Sequence, residues 1–437
     1  MKELNRDEIT MSRSRHIDRM RAFLSTQTVT LTAALAVGLL FSVYLIAIRT
    51  SAQISVSTDY LKFYESIHLW FAEKSIYTPI PISKYANLFD ISKFSRTTLH
   101  PNLNPPAFTM LLSPIGIFKF TTSFYIWSII NLTVGIAAAW HIPAVLGYVS
   151  RPARILSVVL LLAYYPTLTT VLLGQVSLLL LGLVYLIWTR ARSRNDIAAG
   201  IILGVAISLK IYMGIFLLLF LFMKRWKLIG TSIVTGMVVQ LTALQLFGLP
   251  EFYNYLAQLG SITWFSTNWN ASILGLTTRL FGGAETTSLV DVPFLSYFLY
   301  YLLSAVVIGV WGWFVMFLRS ADKDSEDLSH FDLCFSQAII LMILVAPLGW
   351  VYYFVLFIIP FYVLWSIAKV AGKRWHMILT VLGWFLSTLP SVLIPSADMQ
   401  PINMVFPSGV YLAATLIFCI LIFSQLNSGG RNPKNTV

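Results

Sequence analysis

The sequence predicts an all-α polytopic membrane protein, a bundle of about twelve spanning helices with amphipathic helices on one outer face. Three observations predict it. Hydrophobic residues make up 57% of the 437 positions and charged residues only 11%, with a mean hydropathy of +0.76, outside the range of soluble domains. Apolar runs long enough for a bilayer recur along the chain. Basic residues cluster in the short turns on one side of those runs.

The runs lie near residues 29–48, 122–147, 154–172, 175–189, 196–208, 210–223, 228–248, 293–318, 333–346, 350–367, 376–395 and 405–425. Several fall short of the roughly twenty residues that a straight crossing needs, which implies broken or tilted helices around a cavity. The chain therefore reads as one membrane domain, 1–437. Residues 1–28 form a cytoplasmic N-terminus that shows no small-residue cleavage pattern and is expected to be retained. Residues 49–121 form a first extracytoplasmic loop with short helices, 249–292 a second, and 426–437 a cytoplasmic tail.

The sidedness follows from Arg151 and Arg154, from Arg190, Arg192 and Arg194, from Lys224, Arg225 and Lys227, and from Lys369, Lys373 and Arg374. All fall on one side, with the N-terminal segment and the tail. That side carries 21 of the 30 basic residues and 10 of the 18 acids, so +11 of the net +12 lies inside. The charge thus reflects membrane topology and does not point to nucleic acid. The loop "KDSEDLSHFD", 323–332, is acidic on the same side, but acids weigh little in this rule.

Two stretches cannot cross without inverting everything after them. "NPPAFTMLLSPIGIFKF", 104–120, is interrupted by Pro105, Pro106 and Pro114 and is expected as a short helix on the outer face. "NASILGLTTRLFGG", 270–283, is expected as another. Cys334 and Cys419 both sit in apolar runs and read as packing residues, with no disulfide framework or cysteine metal site.

Polar residues inside such runs are costly and need a reason. Asp59 follows the first run in "STDYLKFYESIHLW"; Gln175 interrupts "LLGQVSLLL", Lys210 interrupts "GVAISLKIYMGIF", and Asn268, Asn270 and Ser272 lie in "STNWNASILGL". Pro347 and Trp350 mark a further break in "VAPLGWVYY". The charge-derived topology brings all of these to the outer face. Each also has a plainer reading: a solvated acid, an interhelical hydrogen bonder, a snorkelling lysine or an aromatic belt. His68 and His100 stand at no metal-ligand spacing, so a metal site is not expected.

Outside the cell there is no nucleotide pool, and the chain has no phosphate-cradling glycine-rich loop. Transfer chemistry on this face would need a donor activated within the lipid, such as a polyprenyl-phosphate sugar whose phosphate already leaves well. One carboxylate could then take the proton of an acceptor hydroxyl, and one cation could offset charge on the departing phosphate. Asp59 is the candidate base and Lys210 the candidate cation. Gln175, Asn270 and Arg279 are further candidates for donor phosphate or sugar binding, and Tyr60, His100, Asn104, Trp350, Tyr352 and Tyr353 for the pocket lining. Glu65, the nearest second acid, lies at a poor helical phase to share the site with Asp59, which argues against a glycosidase pair.

These motifs, with "TDYLKFYESIHLWFAEKSIY", "LKIYMGIFLLLFLFMKRW" and "APLGWVYYFVLFIIP", occur in an order that resembles glycosyltransferase family 87, the polyprenyl-phosphate-mannose dependent mannosyltransferases of the C-type (GT-C) membrane fold. The resemblance implies an inverting transfer, mannose carried on a polyprenyl phosphate as the donor, a glycolipid or glycan acceptor, no cofactor or metal, and Asp59 as the catalytic residue. The chain departs from the family pattern at Asn104, where many members have Tyr before the two prolines, and at Val351, Tyr352 and Tyr353, where many have one or two His. Two other readings remain open at this level: a flippase or transporter for a lipid-linked sugar, and a non-catalytic scaffold for envelope assembly.

Overall fold

The computed structural model describes residues 31–32, 34–50, 58–85, 98–284, 288–321 and 328–389. The expected N-terminal segment, the run 405–425, the tail and Cys419 lie outside them. What is described is almost entirely helical, with one two-stranded ribbon, β1 (Ile80–Pro81) paired antiparallel with β2 (Thr98–Leu99).

Among the described residues, five helical segments are long and apolar enough to cross a membrane: Phe120–Val145 (α4), Trp226–Phe247 (α10), Pro293–Leu318 within α13 (Pro293–Ala321), Leu328–Val345 (α14), and Val351–Val370, whose second part is α15 (Ile358–Val370). A sixth arises if α5 (Arg151–Leu162) and α6 (Tyr165–Leu173), bent by 57°, count as one. Shorter helices complete the bundle: α1 (Ala34–Thr50), α7 (Ser177–Arg192), α8 (Asp196–Leu209), α9 (Ile215–Phe222) and α16 (Arg374–Ser387). The fold is a largely helical, multi-span membrane architecture. α16 stops at Ser387, well short of the expected end at 395, and the acidic loop is shorter than expected because α14 begins at Leu328.

The α5–α6 bend has a local cause. Pro166 has no N–H and its ring excludes the carbonyl four residues back, so the helix cannot continue past Leu162. The Leu162 carbonyl so released accepts from the Tyr44 hydroxyl of α1 at 2.9 Å. α8 and α10 approach closely because Gly200 and Gly204 carry no side chain: a Cβ at either would lie 2.6 Å from a carbonyl oxygen of α10, Leu228 or Ser232. This is the small-residue contact that lets helix backbones meet in lipid.

One end of the bundle is tied by buried charge. Asp332 at the start of α14 accepts from Trp188 Nε1 at 2.8 Å and pairs with Arg192 Nε at 3.1 Å. Arg225 pairs with Asp196 and donates to the Ala191 carbonyl at 2.6 Å. The last acid of the "KDSEDLSHFD" stretch, Asp332, thus neutralises one of the basic-cluster arginines. α7 runs 16 residues from this end, about 24 Å, and its start lies at the opposite end, where the interrupting polar residues gather.

Three short helices cover that opposite end: α3 (Pro106–Gly116), α11 (Leu249–Gly260) and α12 (Ile273–Phe281). α3 and α12 fall where the sequence predicts them. α11 presents Leu249, Tyr253 and Leu256 outward while Tyr255 is buried against Tyr77, the two-sided pattern of a helix lying at an interface.

Candidate active site

Asp59 sits in the first turn of α2 (Thr58–Phe71), where unpaired backbone N–H groups favour a carboxylate. α2 is fixed by its other face, on which Tyr60, Tyr64 and Ile67 are all buried. Three positions after Asp59, one helical turn on, Lys62 Nζ donates to Asp59 Oδ1 at 2.9 Å. Glu65 points elsewhere and pairs with Lys84 at 2.8 Å, so it does not join Asp59.

The second oxygen of Asp59 accepts from Gln175 Nε2 at 2.7 Å. Gln175 reaches it because α6 ends at Gly174 in the left-handed conformation, φ 67°, with the Gln175 N–H closing onto the Thr170 carbonyl at 2.8 Å. Only glycine fits this position: a Cβ there would stand 2.5 Å from the Tyr60 Cβ. The Gly174 carbonyl is held by Trp127 Nε1 at 2.7 Å. Gln175 is 5% exposed and its Oε1 has no hydrogen-bond partner among the described residues.

Burial alone would raise the Asp59 pKa, but Lys62, Gln175 and the more distant Lys210 outweigh it and hold the carboxyl below the usual range. It is therefore an anion at neutral pH. Lys210 leaves α8 in an extended conformation, φ −145° and ψ 108°, which turns it out of the helix at the break before the 3-10 turn Ile211–Gly214. Its Nζ lies 5.8 Å from the Tyr353 ring centre, within cation–π reach. Tyr353 in turn lies against Tyr212 and Tyr352, at 4.9 and 4.7 Å between ring centres.

A clasp between two distant motifs builds the facing wall. Ala271 N donates to Gly349 O at 2.8 Å and Val351 N to Trp269 O at 3.0 Å. Asn270 fills the clasp: its Nδ2 donates to Phe265 O and Pro347 O, both at 2.9 Å, while its Oδ1 accepts from Gly349 N at 2.9 Å and Ser272 N at 3.2 Å. Arg279 braces it from α12, donating to Thr267 O and Asn270 O, each at 3.0 Å. Burial lowers its pKa to about 9, which still leaves it charged at neutral pH.

These elements enclose a cavity of about 800 Å³ lined by Asp59, Gln175 and Lys210, together with His100, Asn104, Trp350, Tyr352 and Tyr353. His100 lies 4.4 Å from the ring centre of Trp264, and the Asn104 amide donates to Asn102 Oδ1 at 2.6 Å. Three residues expected at the site do not line the cavity. Tyr60 turns to the core side of α2, where its hydroxyl meets Ser123 Oγ at 2.5 Å and its ring stacks on Trp127. Asn270 is engaged with backbone carbonyls and N–H groups and Arg279 with two backbone carbonyls, so they shape the wall from behind.

Sequence reasoning missed Lys62, Tyr212, Trp264 and Trp269, which also line the cavity. For Lys62 the signal was present in its spacing from Asp59, since residues three apart on a helix are neighbours. The aromatic residues carried no such mark in a chain with 13 Trp and 20 Tyr. Among the described residues, no group of three or more His, Cys, Asp or Glu stands where it could hold a metal ion. The site presents one carboxylate, two ammonium groups and a wall of aromatic rings.

The sequence model of glycosyltransferase family 87 matches residues 102–347, more than half of the chain. Gln175, Lys210, Asn270 and Pro347 fall inside this stretch, and Asp59 and Lys62 precede it. Two proteins named alpha-(1->3)-arabinofuranosyltransferase, from Mycobacterium tuberculosis strains CDC 1551 / Oshkosh and ATCC 25618 / H37Rv, are each similar to the chain. Each is 27% identical over 227 residues, covering 50% of this chain and 49% of the relative. The chain spans about half the length of these curated relatives. No solved structure matches it.

Proposed function

Because the chain belongs to glycosyltransferase family 87, we propose that it transfers a sugar from a polyprenyl-phosphate donor to a hydroxyl of a lipid-linked or glycan acceptor. The observation that carries this reading is the Asp59 carboxylate, held between Lys62 and Gln175 at the edge of a cavity that Lys210 also lines. An anion fixed by two donors keeps lone pairs free to accept a further proton. A neighbouring ammonium supplies the positive charge that a departing phosphate requires.

In the proposed step the acceptor oxygen bonds to the anomeric carbon as its proton passes to Asp59. The bond from that carbon to the phosphate oxygen breaks on the opposite side, and its electron pair leaves with the polyprenyl phosphate. The sugar is thereby inverted. Lys210 faces the phosphate, and the rings of Trp350, Tyr352 and Tyr353 offer flat apolar surfaces to the sugar or the prenyl chain. Cationic side chains take the part that a metal ion plays in other phosphate-leaving reactions, which supports a metal-independent transfer.

The donor sugar is the finer question. The family resemblance favours mannose, whereas both similar proteins are named for arabinofuranose, so these two donors head the trial. We place the cavity on the extracytoplasmic face of the cell membrane, with both termini cytoplasmic and about twelve crossings in all. The basic residues at the far end of α7 and α8 support that orientation. The test is a transfer assay with purified protein, polyprenyl-phosphate mannose or arabinofuranose, and a lipid extract from the native cell. Labelled glycan product is expected; donor bound without any product would contradict the reading.

A further inference from the structure

The charge at the cavity carries more than the family reading requires. Among the described residues, its charged lining consists of Asp59 and Lys62 on α2 and Lys210 at the end of α8; the other titratable lining residues are His100, Tyr212, Tyr255, Tyr352 and Tyr353. With the carboxylate ionised, these three charged groups leave one positive charge over. A polyprenyl-phosphate sugar is a phosphodiester with one negative charge, so the loaded site is neutral. Once the sugar leaves, the phosphate becomes a monoester that approaches a charge of about −2 at neutral pH. Asp59 has meanwhile taken up a proton, and the two lysines then match the two phosphate charges.

Neutrality through the step needs both ammonium groups, yet in the resting site one of them is bound to Asp59. Lys62 and Asp59 are 24% and 21% exposed, so the pair is neither sealed in the core nor a free surface contact. Its geometry allows an exchange of partner: a four-carbon stem with three donors can swing from the carboxylate to a phosphate entering beside it.

We propose that Lys62 is handed from Asp59 to the leaving phosphate during transfer, so that proton uptake by Asp59 and charge build-up on the phosphate proceed together. This rests on the transferase reading and adds a second leaving-group cation to it. In the resting state Lys62 keeps Asp59 ionised. When the bond from the anomeric carbon to the phosphate oxygen breaks, Lys62 and Lys210 take the two negative charges, and the acceptor proton stays on Asp59. When the product leaves, Asp59 gives that proton to water and the pair re-forms.

The test is a binding measurement on the full chain in detergent, with farnesyl phosphate as the probe and farnesol as the uncharged control. Titrations run at about pH 5 and about pH 8, on either side of the second phosphate pKa of about 6. Wild type is expected to bind farnesyl phosphate more tightly at the higher pH. Lys62→Met is expected to lose about tenfold or more in that affinity with farnesol unchanged, and Lys62→Arg to recover most of it. Asp59→Asn, which frees Lys62, is expected to bind farnesyl phosphate more tightly than wild type. Wild-type affinity in Lys62→Met would reduce the pair to an ordinary helix-surface contact and overturn the proposal. So would an equal loss for farnesol, or weaker binding by Asp59→Asn. Retained transfer by Asp59→Asn would instead remove the base reading itself, in a different assay.

Discussion

Gln175 donates its side-chain amide to Asp59 across 116 residues of sequence, at 2.7 Å. The contact decides which way the amide faces, because an ionised carboxylate only accepts. It also ties α2 to the turn between α6 and α7, so the candidate base is fixed from both sides of the cavity.

Gln175→Leu removes one of the contacts that lower the Asp59 pKa and leaves burial less opposed. Asp59 then keeps its charge only at higher pH. The acid limb of kcat/KM, which reports the free enzyme, is expected to move toward neutrality, while the rate well above it changes less. A pH–rate profile checks this, and an unmoved limb would dissociate Gln175 from Asp59.

The same shift has a consequence for stability. A carboxyl whose pKa is lower folded than unfolded stabilises the fold above its unfolded pKa, and that contribution is lost as pH falls through the folded value. Asp59→Asn is therefore expected to remove a component of acid-dependent stability. Thermal unfolding of the two proteins should differ more at neutral pH than at the acid end.

Gly174→Ala forces a side chain into φ 67° and against the Tyr60 Cβ. A cost of about 1–3 kcal/mol is expected for such a position, with loss of transfer because Gln175 is displaced from Asp59. Unfolding temperature and activity measured together test it. Full activity at wild-type stability would show that the turn tolerates a side chain.

Asn270→Ala leaves four backbone partners of the clasp without their side-chain contact. About 1–3 kcal/mol is expected for leaving even one such buried group unsatisfied. Arg279→Met is expected to act the same way, lowering stability with farnesyl phosphate affinity little changed in whatever remains folded. A selective loss of phosphate affinity would return Arg279 to the donor site.

The helical, multi-span character of the chain and its polar interruptions were legible because membrane insertion is written residue by residue: apolar runs, basic turns and prolines act locally. Asp59, Gln175 and Lys210 stood out for the same reason, each being costly where it lies. What could not be read was direction. Tyr60 neighbours Asp59 in sequence but lies on the opposite face of α2, and only the packing of α4 against that face settles where its ring goes. Asn270 and Arg279 are polar residues of the expected loop, yet they serve backbone carbonyls that the clasp alone brings together. α11 escaped notice because its apolar stripe is interrupted by Glu251, Asn254 and Gln258, and its outward face is apolar as well.

The proposed transfer turns on Asp59 as the group that accepts the proton. The most direct measurement compares wild type with Asp59→Asn in the transfer assay, using the donor that wild type accepts, after both are shown to be folded and to bind that donor. A loss of about 10²- to 10⁴-fold in kcat with donor binding retained is the predicted result. Transfer by Asp59→Asn at the wild-type rate would contradict it.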